Sequence, residues 1–331
     1  MVTLEIADQT LVQGYLIGDY FRFEKEIQFN SGAMVVIDDM VLSGNSSAIF
    51  SGGSTCRSNQ LTSRGSLTFA PSCDVTYTML SVSSSSRVVF ESDLGATIPA
   101  RSTVALSGSL RGLKLIVKGS LVIPAFSNVL LDTPLVADAE TACIILVIGN
   151  LTIASYVQSK TCNVSGSGHL TIQNGINSAN VSSISVNRVS IAKMFVVLPG
   201  DVINFTSAAV DLISCVASVS GSVVSNSLSH FVLSSDSSLN MQNAAVTDFK
   251  SMTIHGSSSF NNSIVNAVDI LFAEESRSTC VFSTVRAKNI LVAGVPFALV
   301  HTHARACFSL GDIDRLQGQC QFSTALQQAR R

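Results

Sequence analysis

The sequence predicts an all-β protein built as a parallel β-solenoid, a single-stranded parallel β-helix with coils of about 20 residues. Three observations carry that expectation. A four-residue phrase returns as HFVL at 230–233, SMTI at 251–254, DILF at 269–272 and NILV at 289–292, so its starts lie 21, 18 and 20 residues apart. A second signature, Gly-x-Leu-x-Ile/Phe, is written as GSLTFA at 65–70, GSLVIP at 119–124, GNLTIA at 149–154 and GHLTIQ at 168–173. Charged residues make up only 13% of the 331-residue chain while 47% is hydrophobic, against roughly 25% charged in an ordinary soluble domain.

In a strand, residues two apart share a face, so Phe231 with Leu233 and Met252 with Ile254 point to one interior while their neighbours face water. A second apolar beat follows each of the first three starts: Leu239 and Met241, then Phe260, then Val281 and Phe282. Polar corners separate the beats. A unit of this size cannot bury its own apolar side, but stacked on copies of itself it can.

Taken in order, residues 1–60 hold a concentration of aromatics (Tyr15, Tyr20, Phe21, Phe23, Phe29, Phe50) and the charge cluster Glu24, Lys25, Glu26. They are expected to form N-terminal strands or a cap over an exposed sheet edge, the alternative being an ordinary first coil. Residues 61–300 are expected to form the β-helix proper. In the Gly-x-Leu motifs the glycine is expected to allow the bend into a new face, and Leu67 with Phe69, Leu121 with Ile123, Leu151 with Ile153 and Leu170 with Ile172 to point inward. The 30-residue gap between the second and third copies reads as one coil plus a loop carrying Pro124, Asp132, Pro134, Asp138 and Glu140. The serine run SVSSSSR at 81–87 lies between strand patterns and reads as a polar corner. Over 176–225 the beat continues with Val189 and Ile191, Phe195 to Leu198, Ile203 and Phe205, and Leu212 and Ile213. Residues 301–331 are expected to be a C-terminal cap helix over 310–328, opened by Ser309 and Asp312, or a tail.

Net charge is −2 and the isoelectric point about 6.2, so no basic field exists to attract nucleic acid. The longest apolar runs, at 142–148 and 290–300, fall short of the roughly 18 residues of a membrane span. The start MVTLEIADQT has neither a basic nor an apolar leader region, which taken literally reads as cytosolic; the preferred expectation is that a chain opening directly in strand pattern is a segment of a longer protein.

Among the eight cysteines, Cys143 and Cys162 are one coil apart and therefore within disulfide reach on adjacent rungs. Cys56 with Cys73 and Cys307 with Cys320 are further possible pairs, while Cys215 and Cys280 have no evident neighbour. The alternative for all of them is a small buried hydrophobe. Candidate glycosylation sequons occur at Asn45, Asn150, Asn163, Asn180, Asn204 and Asn261, against roughly four expected by chance in a chain this rich in Ser, Thr and Asn. Extracellular or cell-surface location, as a glycoprotein, is the resulting expectation.

The inward beats and coil period of residues 60–300 resemble the right-handed parallel β-helix of the pectin-lyase-like superfamily, shared by pectate lyases, polygalacturonases and many surface proteins. The resemblance is one of architecture. It implies that an enzyme of this kind would gather carboxylates, often with a basic residue, on one sheet for calcium binding or acid–base work. Acids here are scattered. Asp38 and Asp39 are adjacent in a strand and expected to face opposite ways; Asp201 and Asp211 lack an arginine nearby in sequence. His301 and His303, with Cys307 and Cys320, offer four zinc-type ligands at a spacing that matches no standard site. His169 and His255 read as outward polar residues, and Thr76 with Thr78 as a lone threonine pair rather than a ladder.

No catalytic residue, metal site or cofactor is therefore assigned. The leading expectation is a non-catalytic structural or adhesive segment of a secreted or surface protein. It would bind glycans or surface proteins through an extended Ser/Thr/Asn-rich surface; the alternative is a carbohydrate-active enzyme, a polysaccharide lyase or glycoside hydrolase.

Overall fold

The computed structural model describes residues 3–6, 10–91, 96–98, 100–111, 114–132, 134–137, 143–155, 157–158, 162–177, 181–206, 209–226, 228–274, 276–293, 297–300 and 303–310. It is a parallel β-solenoid with coils of about 20 residues and contains no helix among the described residues. The expected helix over 310–328 falls, but for Leu310, outside them. Two compact units divide the chain, Met1–His169 and Leu170–Arg331.

In the first unit each early coil combines a nine-residue strand with a four-residue one. Tyr15–Phe23, Met34–Leu42, Thr55–Ser63 and Asp74–Val82 pair in parallel, and between them Glu26–Phe29, Ser47–Phe50, Ser66–Phe69 and Arg87–Phe90 do the same. Residues 15–63 thus take the same coil pattern as those that follow. The long strands turn a corner at their middle, where two consecutive residues leave the interior: Asp38 and Asp39, Asn59 and Gln60, Thr78 and Met79. Strict alternation holds on either side of the corner. The core is a set of ladders, such as Phe21, Met40, Leu61 and Leu80 in register, each 2% exposed or less.

The four-residue strands contribute a stack of Phe29, Phe50, Phe69 and Phe90, with successive ring centroids 4.3, 5.1 and 4.9 Å apart. Burying each ring contributes about 2–3 kcal/mol, and the offset stacking adds roughly 0.5–1.5 kcal/mol per pair. Later in this unit the long strand is split, as in Ala96–Ile98 and Thr103–Leu106, and Ala96–Ile98, Leu115–Val117, Leu135–Ala137 and Val157–Gln158 form a four-stranded sheet.

The corners follow a rule of their own. Four-residue turns close with a buried serine whose hydroxyl donates to the carbonyl three residues back: Ser46 to Ser43 at 2.7 Å, Ser54 to Ser51 at 2.6 Å and Ser86 to Ser83 at 2.8 Å. The serine run at 83–86 is such a turn. Beneath the turns at 43–46 and 83–86 a glycine of the next coil passes. A Cβ on Gly65 would lie 2.1 Å from the Ser46 carbonyl oxygen and one on Gly108 2.1 Å from that of Ser83. Of the motif glycines, Gly65, Gly149 and Gly168 are needed for such a close approach rather than for the backbone bend expected of them.

The motif copies are also not equivalent. Ser66–Phe69 pairs with Ser47–Phe50 and Arg87–Phe90, Ser120–Ile123 pairs with Thr103–Leu106 and Cys143–Val147, and Asn150–Ile153 pairs with Asn128–Leu131. The 30-residue gap therefore joins strands of different faces and is not one coil plus an insertion.

In the second unit the repeated phrase is the register. His230, Ser251, Asp269 and Asn289 are successive Cα partners, as are Phe231, Met252, Ile270 and Ile290. Leu239 and Met241 point inward as expected, but the rung after Met241 and Phe260 is filled by Cys280, while Phe282 stands 62% exposed at the corner. Of Leu212 and Ile213, only Leu212 is buried. Two interior serines, Ser258 and Ser278, satisfy each other at 2.8 Å.

Candidate functional site

The most built surface lies at one corner of the first unit. Turns 83–86 and 124–127 each close with a backbone bond, Ser86 N–H to Ser83 O at 2.9 Å and Ser127 N–H to Pro124 O at 3.3 Å. Between them the chain crosses at Ser107 and Gly108, flush beneath the first turn for the reason given above, and the Ser127 hydroxyl donates to the Ser107 hydroxyl at 2.9 Å. Two projecting turns with a recessed crossing between them make a notch. It consists of two adjoining open hollows that share Ser84, Ser107 and Asn128, one of about 360 Å³ lined by Arg87, Arg111 and Asp132 and one of about 520 Å³ lined by Phe126. Among the described residues, Arg87, Arg111 and Asp132 have no ion-pair partner. Asn128 is fixed, accepting a 2.6 Å bond from the Asn150 amide. Phe126 is fully exposed and sits at φ +63°.

A second, shallower hollow of about 350 Å³ gathers Asp38, Arg57, Asn59, Thr76 and Thr78 on the outer side of the long strands. The corner bend explains Asp38 and Asp39: both leave the interior, Asp38 exposed and Asp39 half-buried, instead of facing opposite ways. Arg57 is engaged with Asp74 at 3.7 Å, both side chains more than half exposed. Thr76 and Thr78 are exposed. The hollow's lining includes one carboxylate, Asp38, so a pair of carboxyls for acid–base work is not assembled there.

Asp211 does have an arginine. Arg188, one coil earlier, donates from Nε to Asp211 Oδ2 at 2.7 Å, and the carboxylate side chain is 10% exposed. The partner lies 23 residues away, beyond the reach of a search in neighbouring sequence. Asp201 closes the turn after Leu198 and is half-buried. Asp236, which the sequence does not single out, is held well below the usual carboxylate range, at about 2, first by the Ser214 hydroxyl and then by that of Ser234. A carboxylate so held is ionised through the physiological range and serves as a turn clamp rather than a proton donor.

His169 and His255 are exposed. His230 is too, with Nδ1 2.7 Å from the Ser251 hydroxyl. Of the four zinc-type candidates, His303 and Cys307 lie on the strand His303–Leu310, while His301 and Cys320 fall outside the described residues. Among the described residues no group of three His, Cys, Asp or Glu side chains is placed to hold a metal, and no helix is long and apolar enough to cross a membrane.

Cys143 and Cys162 are register partners with Cα atoms 4.5 Å apart, joined by a disulfide inside the core. Cys56 and Cys73 are free thiols, not a pair; Cys73 lies 3.4 Å from the Ser54 hydroxyl. Burial pushes the Cys56 thiol far up and that of Cys215 up to about 11, so neither is a nucleophile. Cys280 is buried. The sequon residues Asn45, Asn150, Asn163, Asn204 and Asn261 are exposed, and Asn180 falls outside the described residues. No family model, no curated protein and no solved structure matches the chain.

Proposed function

We propose that the chain is a non-catalytic, structural and adhesive segment of a secreted or surface-attached protein, binding glycans or protein partners through extended polar rows. The observation that carries this reading is the set of outward rungs that adjacent coils have already paired. Asn150 bonds Asn128 at 2.6 Å, Asn262 bonds Asn243 at 2.7 Å, Asn289 bonds Asp269 at 2.7 Å and His230 meets Ser251 at 2.7 Å. Side chains ordered before binding lose little further freedom on it, which favours recognition by many modest polar contacts. The internal Cys143–Cys162 disulfide supports an oxidising compartment, and the exposed sequons support a glycoprotein. The parallel coils support kinship with the pectin-lyase-like β-helices at the level of architecture.

The test is a broad glycan-binding panel run beside a polysaccharide-degradation panel, each with and without Ca²⁺. Binding without release of unsaturated or reducing-end sugars, and a melting temperature indifferent to Ca²⁺, is the expected result. Sugar release that disappears in Asp38→Asn, Asp39→Asn, Asp201→Asn or Asp211→Asn would replace this reading with a carbohydrate-active enzyme.

A further inference from the structure

We infer that the notch between turns 83–86 and 124–127 is a binding site for an anionic glycan, with Phe126 as the platform for one sugar ring and Arg87 and Arg111 as the readers of its carboxylate or sulfate group. The inference rests on the adhesive reading above and adds to it a location and a ligand class.

Phe126 is the starting point. A bulky side chain in the left-handed region costs about 1–2 kcal/mol, and Phe126 is there, at φ +63°. Burial normally offsets such a cost, but its relative exposure is 103%. Glycine or asparagine would hold the same turn more cheaply. A ring that weakens the fold by its backbone and contributes nothing by packing is explained by a ligand that covers it. One face of a pyranose is lined by C–H groups, whose partial positive charge suits the electron-rich face of phenylalanine.

The rest of the notch supplies what a sugar ring leaves over. Ser84 and Ser107 offer hydroxyls, and Asn128 an amide already held by Asn150. The charged groups decide the class. Arg87 and Arg111 stand on neighbouring strands that pair Arg87 with Ser109 and Val89 with Arg111, both exposed and without a carboxylate partner among the described residues. A planar guanidinium matches a carboxylate or sulfate through two parallel bonds. Asp132 is the acceptor for sugar hydroxyls, and two arginines against one aspartate leave the notch net positive. That balance favours an acidic sugar over a neutral one.

Calorimetric titration of the full chain with three tetrasaccharides tests this: a sulfated heparin fragment, an oligouronate and a neutral β-linked glucan. At least one acidic probe should bind tenfold or more tightly than the neutral one and weaken as salt rises; which of them binds identifies the anion. Phe126→Ala and Arg87→Ala should each lose about tenfold in affinity, and Phe126→Tyr should keep it. Misfolding does not confound the result, because removing an exposed ring from a strained backbone should leave the melting temperature unchanged or raise it. Acidic-glycan binding that is indifferent to Phe126→Ala and Arg87→Ala overturns the site while leaving the adhesive reading intact. A preference for the neutral probe overturns the ligand class, and no binding to any glycan in this set or in the broad panel overturns both.

Discussion

At the scale of single residues, the fold records its exceptions in the backbone. Asn243, Asn262 and Phe282 follow successive register partners and all sit in the left-handed region, at φ +52°, +47° and +48°. Asparagine tolerates that region, and the first two bond side chain to side chain at 2.7 Å; phenylalanine does neither. Replacing Phe282 with Asn should therefore extend the ladder by one rung and remove the strain. A gain of about 1 kcal/mol is expected, read by urea unfolding of protein made where the new Asn-Ser-Thr sequon is not glycosylated. A loss would mean that the ring's own contacts outweigh the backbone cost. Nothing in the sequence announces these positions, nor that of Phe126, because a φ angle belongs to the corner and not to the residue type that occupies it. The Arg188–Asp211 pair was hidden for another reason: its members are neighbours only after the coil length is known.

At the scale of the strand, side-chain parity was legible and corner geometry was not. Alternation places Leu151 and Ile172 inward and Thr152 and Thr171 outward, and the structure has Leu151 and Ile172 at 1% and 2% exposure with both threonines half-buried. Leu151→Asp and Ile172→Asp should abolish soluble expression, since an unpaired interior charge costs several kcal/mol, whereas Thr152→Asp and Thr171→Asp should express and melt as the parent does. Failure of the threonine variants alone would indicate a strand register slipped by one. The same alternation misplaces Asp38 and Asp39, because it assumes a straight strand. At a corner two consecutive residues turn out, and only the buried pairs on either side, Val35 with Ile37 and Met40 with Leu42, reveal it. The phenylalanine stack could have been read from its spacing, 21, 19 and 21 residues. Its first two members fall in the aromatic cluster that also suits a cap, so composition masked periodicity.

At the scale of the molecule, each coil touches mainly the coils before and after it, so stability accumulates by neighbouring contacts and a break at one rung exposes the next. The Cys143–Cys162 disulfide ties two such neighbours across a separation of 19 residues. Constraining a loop of that length in the unfolded chain contributes about 3 kcal/mol on the chain-entropy account. Both cysteines are wholly buried, so a reductant reaches them only when the coils part. The Cys143→Ala, Cys162→Ala double variant should therefore unfold at lower urea by an amount equivalent to about 3 kcal/mol. The intact protein should resist dithiothreitol until denaturant is added. Peptide mapping under non-reducing conditions, on protein from its natural source, should recover the two cysteines linked to each other. Free thiols at both positions there would place the chain in a reducing compartment and remove the support that this bond lends to a secreted, adhesive role.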